Sequence, residues 1–152
     1  MLYICGTPIG NLEDMTYRVV RVLSEVDLIA AEDTRQSVKL LNHFDIKTPL
    51  TSYYEHNKDV KGPQLIKLLQ EGKDIALVTD AGMPGISDPG EDLIKLCYEN
   101  DVPVTVITNK RIFGFTIPKK YIWNGADIPS YLMRIIAVSY THLRAHETLR
   151  HL

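Results

Sequence analysis

The sequence predicts an α/β fold, a largely parallel sheet with flanking helices. Short apolar segments alternate with segments of helical period from residue 1 to residue 107, the pattern of strand-helix-strand units. Two of those apolar segments run straight into loops rich in glycine and proline, at residues 6–12 and 80–90. A chain of 152 residues with 45% hydrophobic content suffices for one ordinary domain, and a second would have to be very small.

Leu2 to Cys5 reads as the first strand, and Gly6 to Leu12 as the loop that follows it. Asp14 or Thr16 caps the next helix, which runs to about Glu25 with Val19, Leu23 and Val26 on its apolar face, broadened by Val20 and Val22. Asp27 to Ala31 is a second strand, ending in the polar cluster Glu32-Asp33-Thr34-Arg35. Thr34 to Phe44 reads as a helix with Val38, Leu41 and Phe44 inward, and Leu50 to Tyr54 as a short extended piece. A helix from about Asp59 to Gln70 ends with Gly72 at C′. Ile75 to Val78 is a buried strand. Asp88 fits the N-cap of the next helix, with Pro89 at its first position, Glu91 and Asp92 in its first turn, and Leu93, Leu96 and Cys97 inward. Val102 to Ile107 forms a further strand, interrupted early by Pro103.

Past Ile107 the character changes. Residues 112–117 read as a strand, 121–129 as mixed aromatic and turn sequence, and the last segment, SYTHLRAHETLRHL, as either a terminal helix or a non-native extension. The expected organisation is therefore one domain over residues 1–107 and an atypical tail over 108–152.

A net charge of −2 supplies no global basic field, which argues against nucleic-acid binding mainly by counterion release; a local patch or a partner would have to provide it. Cys5 and Cys97 make no metal pattern and no disulfide framework, so reduced, buried thiols are expected. No apolar stretch approaches the length of a membrane span, and a soluble cytoplasmic protein is the simplest expectation.

In open α/β sheets ligands sit outside the carboxyl ends of the strands, so the strand-end loops are where a site is expected. There is no GxGxxG after the first strand and no P-loop lysine, which leaves dinucleotide binding and nucleotide hydrolysis poorly supported. The two Gly/Pro loops instead suggest backbone groups gathered around a compact organic cofactor, with Gly10 and Gly82 or Gly85 leaving room and the backbone from Asp80 to Ile86 supplying donors and acceptors. Glu32 and Asp33 suit acceptance of a hydroxyl proton and Arg35 suits a phosphate; equally, Asp33 or Thr34 caps a helix and Arg35 is solvated. Tyr53, Tyr54, His56 and Asn57 read as a hydrogen-bonding and stacking surface for a base, or as edge packing and a strand terminus. One histidine and scattered carboxylates make no metal site.

Four stretches, in this order and spacing, carry a specific resemblance: TPIGNLEDMT at 7–16, VDLIAAEDTR at 26–35, TPLTSYYEHN at 48–57 and ALVTDAGMPGISDPG at 76–90. From Leu2 to about Ile107 the chain resembles the N-terminal domain of the bacterial small-subunit ribosomal RNA cytidine-2′-O-methyltransferases, within the tetrapyrrole methylase superfamily. The resemblance implies S-adenosyl-L-methionine as cofactor, small-subunit ribosomal RNA or the ribosomal subunit as partner, and a homodimer with its cofactor in a cleft between two α/β domains. It implies that Thr7, Pro8 and Gly10 line one cofactor loop, and that Asp80, Ala81, Gly82, Pro84 and Ile86 line the other. Glu32, Asp33 and Arg35 would face the cleft as catalytic candidates, and Tyr53, His56 and Asn57 would face RNA. The chain departs from the family after PVTVI at 103–107, where TNKRIFGFTIPKK replaces the family's Pro-Gly loop and small-residue helix. The family's second domain is also missing, so weak or no catalysis is expected of this chain. The alternatives are a noncatalytic cofactor-binding or dimerisation fragment and a small-molecule methyltransferase of the tetrapyrrole type.

Overall fold

The computed structural model describes residues 1–85 and 90–107. The strands are β1 (Leu2–Cys5), β2 (Leu28–Ala31), β3 (Leu50–Ser52), β4 (Ile75–Val78) and β5 (Val104–Ile107). The helices are α1 (Tyr17–Glu25), α2 (Thr34–His43), α3 (Lys58–Gln70) and α4 (Gly90–Glu99), with a short 3₁₀ turn at Leu12–Asp14. Every strand pair is parallel and the order is β3-β2-β4-β1-β5. The expected α/β architecture with a parallel sheet is the one observed.

The sheet alternates side chains between two helical layers, because successive residues of a strand point to opposite faces. Leu2, Ile4, Ala30, Ile75 and Leu77 pack with Leu65, Ile66 and Leu69 of α3 and Leu93, Ile94 and Cys97 of α4. Cys5, Ile29, Ala31, Ala76 and Val78 pack on the other face with Val19, Val22 and Leu23 of α1 and Leu41 of α2. Connections through α1 and α2 run one way along the sheet and those through α3 and α4 run back, so right-handed crossovers place the two pairs on opposite faces. β4, central and buried at all four positions, lacks any polar side chain for that reason.

Local signals account for the boundaries. Thr16 rather than Asp14 caps α1, its hydroxyl accepting from the Val19 N–H at 3.1 Å. Asp33 caps α2. Gly72 follows the last turn of α3 with a φ of +89°. Both cysteines are free and buried. The inward face of α2 differs from expectation: Val38 is 45% exposed and Ser37 is buried beside Leu41, with Phe44 half-buried. A spacing of four, Ser37 to Leu41, faces the sheet, and the small serine allows close packing that valine's hydropathy disguised. The expected cap Asp88 and Pro89, and the expectations for 108–152, lie outside the described residues, and no described helix is long and apolar enough to cross a membrane.

Candidate functional site

β4 sends its chain to α4 on one face, whereas its neighbours β1 and β2 send theirs to α1 and α2 on the other. A crevice opens at the carboxyl ends of strands where adjacent connections diverge in this way. The two Gly/Pro loops meet there. The Thr7 N–H donates to the Gly82 carbonyl at 2.8 Å and the Gly82 N–H returns a bond to the Thr7 carbonyl at 3.1 Å, an isolated antiparallel bridge. The Thr7 hydroxyl adds a 3.1 Å bond to the Thr79 carbonyl. Gly82 has a φ of +95°, a conformation L side chains rarely adopt, and this brings its backbone against Thr7. Asp80 joins the neighbouring loop by accepting from the Asp33 N–H at 3.2 Å.

Toward α2 the crevice deepens into a cleft of about 390 Å³. Pro8, Leu12 and Leu40 give it apolar walls; Thr7, Ser37, Thr79 and Asp80 give it polar ones, with Gln36 and Lys39 contributed by α2. Thr7 and Thr79 are both buried, and among the described residues the Thr79 Oγ1 has no hydrogen-bond partner.

Among the catalytic candidates, Asp33 is committed twice over. Its carboxylate accepts from the Arg35 N–H at 2.8 Å and from the Arg35 guanidinium at 3.1 and 2.9 Å. The hydrogen bonds from the Arg35 side chain, and then from its backbone, hold the Asp33 carboxyl below the usual carboxylate range. Glu32 is exposed one residue earlier, and the Arg35 side chain reaches solvent. Thr7, Pro8, Asp80, Ala81, Gly82 and Pro84 gather on the two bridged loops; Gly10 lies further along the first, exposed, and Ile86 is outside the described residues.

The residues expected to face RNA part company. Tyr53 is 1% exposed and packs in the core with α3 and α4, where a ring cannot stack on a base. Asn57 spends its amide on the turn: its oxygen accepts from the Tyr54 N–H at 2.8 Å and its nitrogen donates to the Ser52 carbonyl and hydroxyl, each at 3.2 Å. Only His56 is exposed, edge-on to Tyr54 with ring centroids 6.2 Å apart. Lys58 bonds both Glu55 and Asp92 at 2.7 Å, tying this turn to the first turn of α4.

The model of the Tetrapyrrole (Corrin/Porphyrin) Methylases matches residues 1–109. The chain belongs to this family. It is 59% identical over 106 residues to "Ribosomal RNA small subunit methyltransferase I" of Halalkalibacterium halodurans, covering 70% of this chain and 37% of that relative. It is 55% identical over 107 residues to the protein of the same name from a Synechocystis species, covering 70% of this chain and 38% of the relative. The chain thus spans less than two fifths of the length of these curated relatives. Among solved structures, a uroporphyrin-III-C-methyltransferase from Thermus thermophilus superposes with a TM-score of 0.55 at 20% identity, covering 71% of this chain and 46% of that one, a likeness of fold.

In this family member the sequence pointed to the two loops but not to the cleft's α2 wall or to Thr79. Buried Ser37 and Thr79 were the available signal: polar residues interrupting apolar runs at a strand end and on a helix face. Among the described residues no group of three potential metal ligands clusters.

Proposed function

We propose that this chain provides the cofactor-binding part of an S-adenosyl-L-methionine-dependent ribose methyltransferase acting on a cytidine of small-subunit ribosomal RNA. The observation that carries the reading is identity of 55–59% to relatives bearing that rRNA methyltransferase name, across the residues that build the bridged crevice. The domain so assigned is residues 1–107.

The donor set fits the cofactor. Asp80 and Ala81 are exposed at the crevice, and among the described residues neither the N–H nor the carbonyl of Ala81 is hydrogen-bonded. An open backbone donor and acceptor beside a carboxylate suit a ligand with a cationic centre and polar amino-acid and adenine groups. Thr7, Pro8, Gly10, Asp80, Ala81, Gly82 and Pro84 would hold it, with Ile86 continuing the second loop. When bound, the cofactor supplies an electrophilic methyl group that needs no metal activation. The protein's task is then to bring a ribose hydroxyl into line with that methyl and to receive its proton. Asp33, held ionised by Arg35, is a weak proton acceptor and orients the guanidinium toward the RNA backbone. Glu32 is the proton acceptor in this reading, and His56 with Tyr54 meets the RNA. Tyr53 and Asn57 support the fold of that edge. The ribosomal subunit as partner and homodimeric assembly follow from the family resemblance.

Calorimetric titration of the folded chain with S-adenosyl-L-homocysteine tests the assignment. Saturable one-site binding, weakened about tenfold by Asp80→Ala through loss of a charge-assisted contact, is expected. A folded chain that shows no binding overturns it.

A further inference from the structure

The turn after β3 and the first turn of α4 both lie on the carboxyl side of the sheet, and one side chain joins them. Lys58, the first residue of α3, places its ammonium 2.7 Å from the Glu55 carboxylate and 2.7 Å from that of Asp92, 34 residues along the chain. At 24% exposure it is the most sheltered cation of any ion pair between described residues. The others do not span the site: Asp33–Arg35 and Asp45–Lys47 are local, and Met1–Asp74 and Asp27–Lys73 precede the strands on the amino side. The hydrogen bond to Asp92, then the one to Glu55, raises the Lys58 ammonium above the ordinary lysine range, so the link stays charged at neutral pH.

Each end of this link leads to a different part of the site. Glu55 belongs to the turn that exposes Tyr54 and His56, and Asn57 closes that turn through its bonds to the Tyr54 N–H and to Ser52. Asp92 belongs to the first turn of α4, against which the second Gly/Pro loop rests: a Cβ on Gly85 would stand 2.7 Å from the Ile94 Cδ1 and 4.0 Å from the Glu91 nitrogen. Three residues before Gly85, Gly82 is bridged to Thr7. Helices α3 and α4 also approach closely, since a Cβ on Gly62 would meet the Leu96 Cδ1 at 2.8 Å, and close-packed elements transmit small shifts. An ion pair near the surface adds little to global stability, so its consequence lies in where these elements stand.

We infer that Lys58 is a positioning residue that couples the two loops of the site. Through Asp92 it sets α4 against Gly85, and through Glu55 it sets the turn bearing Tyr54 and His56. This rests on the proposed function for what each end binds, the cofactor at the bridged loops and RNA at the turn. A ligand that fixes one end then favours the geometry needed at the other, and the coupling is reciprocal.

Nuclear magnetic resonance of the full chain tests this with and without S-adenosyl-L-homocysteine. In the free protein, Lys58→Met should speed amide exchange at Thr7 and Gly82, which donate across the bridge, about fivefold relative to Ile29, which donates to Pro49 in the sheet. Asp92→Asn cuts the link from its other side and should do the same, Lys58→Arg should restore exchange, and Lys47→Met should leave it unchanged. On titration, S-adenosyl-L-homocysteine should shift the His56 ring resonances; Lys58→Met should abolish that shift and weaken binding about fivefold. Unchanged bridge exchange in Lys58→Met, equal acceleration at Ile29, or a His56 shift that survives the substitution would overturn the coupling. If the folded chain binds no S-adenosyl-L-homocysteine while the exchange effects appear, the positioning role stands and the cofactor assignment falls.

Discussion

The carboxylate of Asp33 caps α2 and grips the guanidinium of the second residue along, so its ionisation is coupled to the fold. Its folded pKa is depressed, chiefly by the Arg35 hydrogen bonds. Such a group stabilises the protein above its unfolded pKa of about 3.9 and loses that contribution as pH falls through the folded value. Asp33→Asn should therefore lower the urea midpoint at neutral pH and flatten its decline below about pH 4, as read from denaturation curves at several pH values. Cys5 and Cys97 behave oppositely: burial pushes each thiol up to about 12. Neither should react with iodoacetamide at about pH 8 in the native protein, and both should react in denaturant, as mass spectrometry of trapped samples will show. Of the site candidates, Thr7 and Gly82 meet through their backbones, a contact that the two Gly/Pro loops at adjacent strand ends allow. Tyr53 and Asn57 have side chains whose destinations depend on α3 and the β3 turn, contacts a linear pattern does not contain.

At the scale of elements, the strands were legible because short apolar runs rich in β-branched residues end abruptly in turn formers, which is how β1 and β4 declare their limits. The order β3-β2-β4-β1-β5 was not legible, since identical alternation of strands and helices is compatible with other orders. The junction between the β4 loop and α4 shows how tightly the site is seated. Gly85 has a φ of +85°, and a Cβ there would stand 2.7 Å from the Ile94 Cδ1. Gly85→Ala should cost about 1–2 kcal/mol from the left-handed backbone alone. Thermal unfolding will register this, and Ile94→Val, which removes the opposing methyl, should couple favourably with it in a double-mutant cycle.

For the whole molecule, β4 is the keel. Leu77 stands in register with Ile4 on one side and Ala30 on the other, beneath α3 and α4. Leu77→Ala should remove about 3 kcal/mol, through lost transfer energy and an unfilled cavity, seen as a lower denaturant midpoint with an unchanged slope. Because β4 also carries Thr79 and Asp80 at its end, the same loss should loosen the crevice and weaken any ligand it holds.

The bridge between Thr7 and Gly82 joins residues 75 positions apart, and β1 finds its first partner in sequence only at Ile75. A chain emerging from the ribosome at about 5–20 residues per second therefore carries its apolar first strand unpaired for several seconds. Through that interval β1 is a natural client for a chaperone. The crevice closes only when β4 slots between β2 and β1, so the ligand loops are among the last parts of this sheet to acquire their geometry.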